Sequence, residues 1–234
     1  ALRVYDYAVQ HEFVEINLPE SIDWRYKSAV RDRRLTHREL KAVWEFCTHP
    51  ATNRDVADIL RLCVLTAARR AEVTQMTWQE IDISSSVWKL SAGRAKNRVS
   101  YTVPLSPPAV AILKARYDAA ELSEGKAEGR VFAVHPDTVT KTIRRLASTL
   151  NPEDRFAVHD LRRTAITTMV AELKVSADVA QRILNHTPPK RGALHHYLCY
   201  QYEPEKRVVL DAWSTWVLSA VAEPRDLLCG GRCT

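Results

Sequence analysis

The chain has no run of ~18 uncharged apolar residues, the length a membrane-spanning helix needs. Its first ten residues carry Arg3 and Asp6 and no apolar signal-peptide core. It has no glycine-rich phosphate loop, and no His-Glu-x-x-His or Asp-x-Asp signature. The eight histidines are scattered, so metal or nucleotide chemistry has little support and neither a metal nor a cofactor is expected. Internal repeats and low-complexity segments are absent as well. The five cysteines (Cys47, Cys63, Cys199, Cys229 and Cys233) are odd in number, and Cys63 sits in an apolar helical pattern. Such usage fits a reducing cytosol better than a disulfide framework. Cys229 and Cys233 flank two glycines and read as a tail rather than half a zinc site.

What is present is ordinary globular material. Apolar residues make up 46% and charged residues 26% of 234, which excludes wholesale disorder and collagen-like structure. The length suits one large domain, or one domain plus a fragment, and the absence of an initial Met suggests a piece of something longer. Lys and Arg number 34 against 28 Asp and Glu, a net charge of +6. That surplus fits a polyanionic partner but is modest.

Periodicity predicts mostly helix. Residues 1–18 read as an amphipathic helix followed by a loop, and the basic run Arg31-Asp32-Arg33-Arg34 as a linker with a possible polyanion contact. Thr36 and Glu39 stand at capping-box spacing before Leu40, Val43, Trp44 and Cys47. Asn53 can cap a helix whose apolar face is Val56, Ile59, Leu60, Cys63 and Val64, and which runs into residues 66–72. Short β-prone runs follow at 80–83, 87–90 and 99–103. Ser106 then caps a proline-initiated helix to about Glu121, with 123–130 a flexible loop. Further helices are expected at 137–150, 159–174, 176–185 and 204–222, with a Pro-rich loop at 186–194. The fold class is therefore mainly α with a small antiparallel β-sheet (α+β).

The chemistry-bearing residues are dispersed cations. In His159-Asp160-Leu161-Arg162-Arg163-Thr164, His159 and Arg162 share a helix face near an N-terminus, where backbone N–H groups favour an anion. Arg supplies a bidentate clamp and His a proton near neutral pH, although a solvated charged face would look the same. Arg69 follows an apolar helix, where a cation suits the helix dipole, and Glu72 could orient or neutralise it. Lys96 lies in the turn between two predicted strands, a position usually just solvated. His186 follows Leu184-Asn185 at a helix end, and Tyr197 follows the Pro-rich loop.

In this order the residues resemble the tyrosine recombinase family, in particular the phage and prophage integrases. Thr66-Ala67-Ala68-Arg69-Arg70-Ala71-Glu72 is similar to the family's first arginine box, T-G-x-R-x-x-E, with Ala67 in place of the usual glycine. The hairpin ending in Val103-Pro104-Leu105-Ser106 resembles the family's sheet, with Lys96 at its lysine position. His159 to Ala165 matches the second box, and Leu184-Asn185-His186 the family's L-G/N-H. Tyr197-x-x-Tyr200-x-Tyr202, followed by Glu205-Lys206-Arg207 and Ala212-Trp213, resembles the prophage-integrase ending. The resemblance covers about residues 35 to 220.

The resemblance implies the tyrosine recombinase catalytic-domain fold at 35–222. It makes 1–34 the end of an upstream core-binding domain plus linker, and 223–234 a C-terminal tail. It implies a site-specific recombinase that cleaves and rejoins DNA through a 3′-phosphotyrosyl intermediate, without metal or ATP, on a mobile element. Arg69 and Arg162 would hold the non-bridging oxygens, with His186 adding a hydrogen bond. Lys96 would protonate the 5′ oxygen, His159 would assist near the tyrosine, and Tyr197 would attack, with Tyr200 and Tyr202 as alternatives. Glu72 is supporting. Lys141, Arg144 and Arg145 are expected to face DNA phosphates. Partners would be double-stranded attachment sites and three further copies in a homo-tetramer on DNA. The isolated chain would be a monomer, cytoplasmic in a bacterial or phage-infected cell, and off the membrane. The last helix could dock in cis or on a neighbour. A type IB topoisomerase-like relaxing activity, or a non-catalytic DNA-binding module of the same fold, are the alternatives.

Overall fold

A computed structural model of the chain describes residues 7–14, 32–95, 98–125, 127–185 and 200–222. The chain divides into two units, Ala1–Asp32 and Arg33–Thr234. In the first, residues 7–10 are helical and 11–13 turn, in line with a helix followed by a loop within 1–18.

The second unit is built around one helix. It begins with α1 (His37–Thr48), closed at its start by a capping box. There Thr36 Oγ1 accepts from the Glu39 N–H at 3.2 Å, and Glu39 accepts from the Thr36 N–H at 2.9 Å. Next, α2 (Arg54–Thr66) is capped by Asn53, whose side chain accepts from Val56 N–H at 3.1 Å. Ten of its 13 residues are buried, and only Arg54, Asp55 and Arg61 reach solvent, so this helix lies in the centre. Its one buried carboxylate, Asp58, is ringed by Arg116 (Nε at 2.6 Å), Arg61 and Arg54, as a buried charge requires.

A short helix α3 (Arg70–Thr74) and a 3-10 turn (Trp78–Glu80) lead into a three-stranded antiparallel sheet. Its strands are β1 (Ile81–Asp82), β2 (Val87–Leu90) and β3 (Tyr101–Pro104), with Trp88 opposite Ile81 on one side and Val103 on the other. Then come α4 (Pro107–Glu124), α5 (Pro136–Leu150), α6 (Val158–Ala171), α7 (Ala177–Ile183) and α8 (Glu203–Ala222). Helices α1, α3, α4, α5, α6 and α8 all pack on α2. No described helix is long and apolar enough to cross a membrane.

Four local expectations change. First, α2 does not run through the 66–72 segment. It stops at Ala67, whose φ of +52° is left-handed, and α3 starts afresh after Arg69. Second, the 123–130 segment is not simply a loop. Helix α4 continues to Glu124, and Gly129 and Val131 bond the backbone of Trp78 and Met76 at 3.0 and 2.9 Å. Third, Ser106 caps α4 by backbone alone, its buried hydroxyl having no partner among the described residues. Fourth, Arg33 of the basic run is buried rather than offered to a polyanion. It pairs with Glu39 at 2.5 Å and Asp154 at 2.8 Å, over the Phe156 ring.

The last helix folds back in cis. Trp213 is fully buried and donates Nε1–H to the Val64 carbonyl of α2 at 2.8 Å. Lys206, also buried, donates to the Thr102 carbonyl of β3 at 2.7 Å. Trp216 stacks on Trp213 and donates to Glu172 at 2.9 Å.

Candidate active site

The left-handed break at Ala67 puts Arg69 at the N-cap of α3, not at the end of α2. A cation there opposes the helix dipole, so its placement answers to something other than helix stability. Glu72 holds it. The buried carboxylate accepts from the Arg69 backbone N–H at 3.0 Å and from Nη1 at 2.8 Å. The backbone carbonyl of Glu72 in turn accepts from Arg94 Nη2 at 2.6 Å, while Arg94 Nη1 pairs with Glu80. Arg94 thus pins the turn that follows β2 against α3, and Ala95 beside it is buried. Sequence reasoning missed this brace. A lone Arg in a predicted hairpin tip carries no signal of its partners.

Helix α6 supplies the second half. Asp160, three residues into the helix, accepts from the Ala157 N–H at 2.9 Å and fixes the start. His159 is exposed, whereas Arg162 on the next turn is only 4% exposed, which rules out a solvated face for it. The Arg162 guanidinium donates from Nη1 to the Ala67 carbonyl at 2.6 Å and from Nη2 to the Leu184 carbonyl at 2.5 Å. It therefore ties the end of α2 to the end of α7. Burial, with Arg69 nearby, pushes its pKa down to about 10, so it stays a cation at neutral pH.

The other titratable groups respond to this charge. His159 is held below its ordinary value by partial burial and by the cations of Arg162, Arg163 and Arg69, against a smaller pull from Asp160. Tyr101 of β3 lies within electrostatic reach of Arg162, Glu72 and Arg69. Burial nevertheless drives its phenol up, and its OH donates to the Ile183 carbonyl at 3.4 Å, so it stays neutral beside these charges. The motif order gave no hint of Tyr101.

Arg162 and His159 line a cleft of 340 Å³ with Ala68, Arg70, Ala71, Thr140, Ala157 and Val158. A larger apolar cleft of 620 Å³ between α1 and α5 is lined by Phe46, His49 and Leu146 among others, but by no Lys or Arg. Of the sequence-derived set, Arg69, Glu72, His159 and Arg162 are brought together. Lys96, His186 and Tyr197 lie outside the described residues. Tyr200 donates to both Glu205 oxygens at 3.0 Å, and that hydrogen bond raises its phenol above the ordinary value, the wrong direction for a nucleophile. The Tyr202 ring lies under Arg182 at 5.3 Å. Lys141, Arg144 and Arg145 are exposed on α5, opposite its buried residues Val139, Ile143 and Ala147.

The family model for the phage integrase family matches residues 33–197, a span that holds both arginine segments and the cleft between them. The chain belongs to the phage integrase family. Among curated phage integrase relatives, it is 30% identical over 164 residues to "Prophage integrase IntA" of Escherichia coli, covering 67% of this chain and 37% of that protein. It is 28% identical over 180 residues to a "Putative integrase/recombinase" of Haemophilus influenzae, covering 75% and 54%. The chain thus spans roughly a third to a half of the length of these relatives. Its fold matches the "Integrase from mycobacterium phage Brujita" (TM-score 0.60, 14% identity, 95% of this chain and 74% of that one). It also matches a lambda integrase(75-356) dimer bound to a COC′ core site (TM-score 0.58, 19% identity, 80% and 68%). The fold is that of tyrosine recombinase catalytic domains.

The phage integrase motif letters now have physical causes. Ala67 stands where the first box usually has glycine, and its backbone is left-handed, the conformation glycine adopts without strain. Asn185, in the G/N position, has φ +46° and is the other type of residue that tolerates this region. Both left-handed turns adjoin a carbonyl held by Arg162, Ala67's own and that of Leu184.

Proposed function

We propose that the chain is the catalytic portion of a site-specific DNA recombinase that breaks and rejoins strands without metal or ATP. The observation that carries this is the convergence of Arg69, His159 and Arg162 from segments far apart in sequence into one electrostatic unit beside a cleft. A phosphodiester resists attack because it is anionic. Two arginines that stay charged and present several donors suit its non-bridging oxygens. Two of Arg162's five N–H donors are engaged by carbonyls, which leaves three for an anion.

In this reading Tyr197 Oη attacks phosphorus, the P–O5′ bond breaks, and the proton needed by the departing 5′ oxygen comes from Lys96. His159, neutral near pH 7, accepts the tyrosine proton, and His186 hydrogen-bonds a non-bridging oxygen. The phosphotyrosyl bond keeps the phosphodiester energy, so attack by a partner's 5′-hydroxyl reverses the step. Residues 35–222 form the catalytic domain, 1–34 the end of a core-binding domain with its linker, and 223–234 a tail. Lys141, Arg144 and Arg145 contact phosphates of duplex attachment sites. Four copies assemble on DNA and the free chain is a monomer. The lambda integrase structures of a dimer bound to a core site and of a tetramer bound to a Holliday junction support assembly on DNA. A reducing bacterial or phage-infected cytoplasm is the setting.

The test uses nicked duplexes of randomised sequence, from which covalent protein–DNA adducts are isolated and sequenced. The chain should form adducts on a defined site, and Tyr197→Phe should bind that site without forming any. Persisting adducts in Tyr197→Phe would move the nucleophile elsewhere.

A further inference from the structure

Arg70 is unexplained by the site above. As the first residue of α3 it is a cation at a helix N-terminus, and its guanidinium lies against the first turn of α5, a second helix N-terminus. Neither dipole favours it. Its contacts are specific nonetheless. Nη1 donates to the Pro136 carbonyl at 2.6 Å and to Thr140 Oγ1 at 2.5 Å, and lies 3.8 Å from the Asp137 carboxylate. Thr140 and Arg70 both line the cleft shared by His159 and Arg162.

Thr140 directly precedes Lys141 and lies one helical turn before Arg144. Arg70 directly follows Arg69. The single guanidinium therefore spans the gap between the helix bearing the phosphate-facing cations and the residue that grips the reacting phosphate. Helix α3 has only five residues, too few to hold its own orientation. Its orientation must come from such ties.

We infer that Arg70 is a positioning residue, which transmits the seating of α5 on a DNA backbone to the alignment of Arg69 on the phosphate. This rests on the roles proposed above for Arg69 and α5. When α5 is seated, Thr140 and the Pro136 carbonyl fix Arg70, and Arg69, one peptide away, is fixed with it. Without the tie, DNA still binds, but Arg69 meets the phosphate off-register.

The test compares Arg70→Met, Thr140→Val and Arg69→Ala on the duplex recovered from wild-type adducts. The substrate is made in two forms, one with the natural scissile phosphate and one with a neutral methylphosphonate there. Single-turnover cleavage at saturating DNA and the dissociation constant are both read. On the natural phosphate, Arg70→Met and Thr140→Val should each slow cleavage by roughly tenfold or more with the dissociation constant unchanged. On the methylphosphonate, both should match wild type on that substrate, because little charge remains for a misaligned Arg69 to neutralise. Equal slowing on both substrates would mean a merely structural role and overturn the inference. So would wild-type cleavage by Thr140→Val, which would leave Arg70 at most a direct phosphate contact. Arg69→Ala reports on the underlying reading. If it cleaves the natural phosphate normally, or is not restored on the neutral one, the active-site reading fails. If it behaves as expected and Arg70→Met does not, the inference about Arg70 alone fails.

Discussion

Arg162 carries two loads at once. Its charge serves the proposed site, and its Nη1 and Nη2 hydrogens close the carbonyls of Ala67 and Leu184. Arg162→Ala leaves both carbonyls without that donor, which should cost about 2–5 kcal/mol of stability, measurable by urea unfolding. Arg162→Lys keeps the charge but cannot fork to two acceptors, so it should recover part of the stability. His159 gives a prediction in pH. Its folded-state value lies below the ordinary 6.5, so as pH falls through 6.5 the unfolded chain takes up the proton first. The imidazole therefore contributes nothing at pH 8 and an increasing destabilisation below 6.5, which levels off under its folded value. NMR titration should place its midpoint below 6.5, and His159→Gln should flatten that part of the stability profile.

At the scale of elements, the left-handed residue at Ala67 decides where a helix ends and where the first arginine points. Ala67→Gly relieves roughly 1 kcal/mol of left-handed strain and loses a buried methyl worth about 0.8 kcal/mol. The two nearly cancel, and thermal melting should show little change. Ala67→Val adds β-branching and volume at a site with no exposure, and should cost about 2 kcal/mol or more. This turn also marks the limit of what periodicity can reveal. The capping box at Thr36 and Glu39, the Asn53 cap and strand β2 were all legible, because each is a local pattern of residue types. The stop at Ala67 was not, since its signal would have been a glycine. The burial of Arg33 and the bracing by Arg94 depend on partners 121 and 22 residues away, which no local pattern encodes. The grouping of Arg69, Glu72, His159 and Arg162 was legible only through the family's motif order, since each residue alone also fits an ordinary structural role.

At the scale of the molecule, α8 closes the core that α1 and α2 begin. Trp213 is its keystone, buried against α2 with its one N–H satisfied. Trp213→Ala should cost about 3–5 kcal/mol by urea unfolding. Because this packing is within one chain, light scattering should give a single-chain mass for wild type.

The lateness of α8 in the chain bears on biogenesis. The central helix, made well before α8, waits with the Val64 carbonyl and its apolar wall uncovered until the segment around Trp213 has left the ribosome. During that interval the nascent polypeptide exposes the surface that drives aggregation, so a translation pause or premature stop before α8 should yield insoluble material rather than a smaller folded protein.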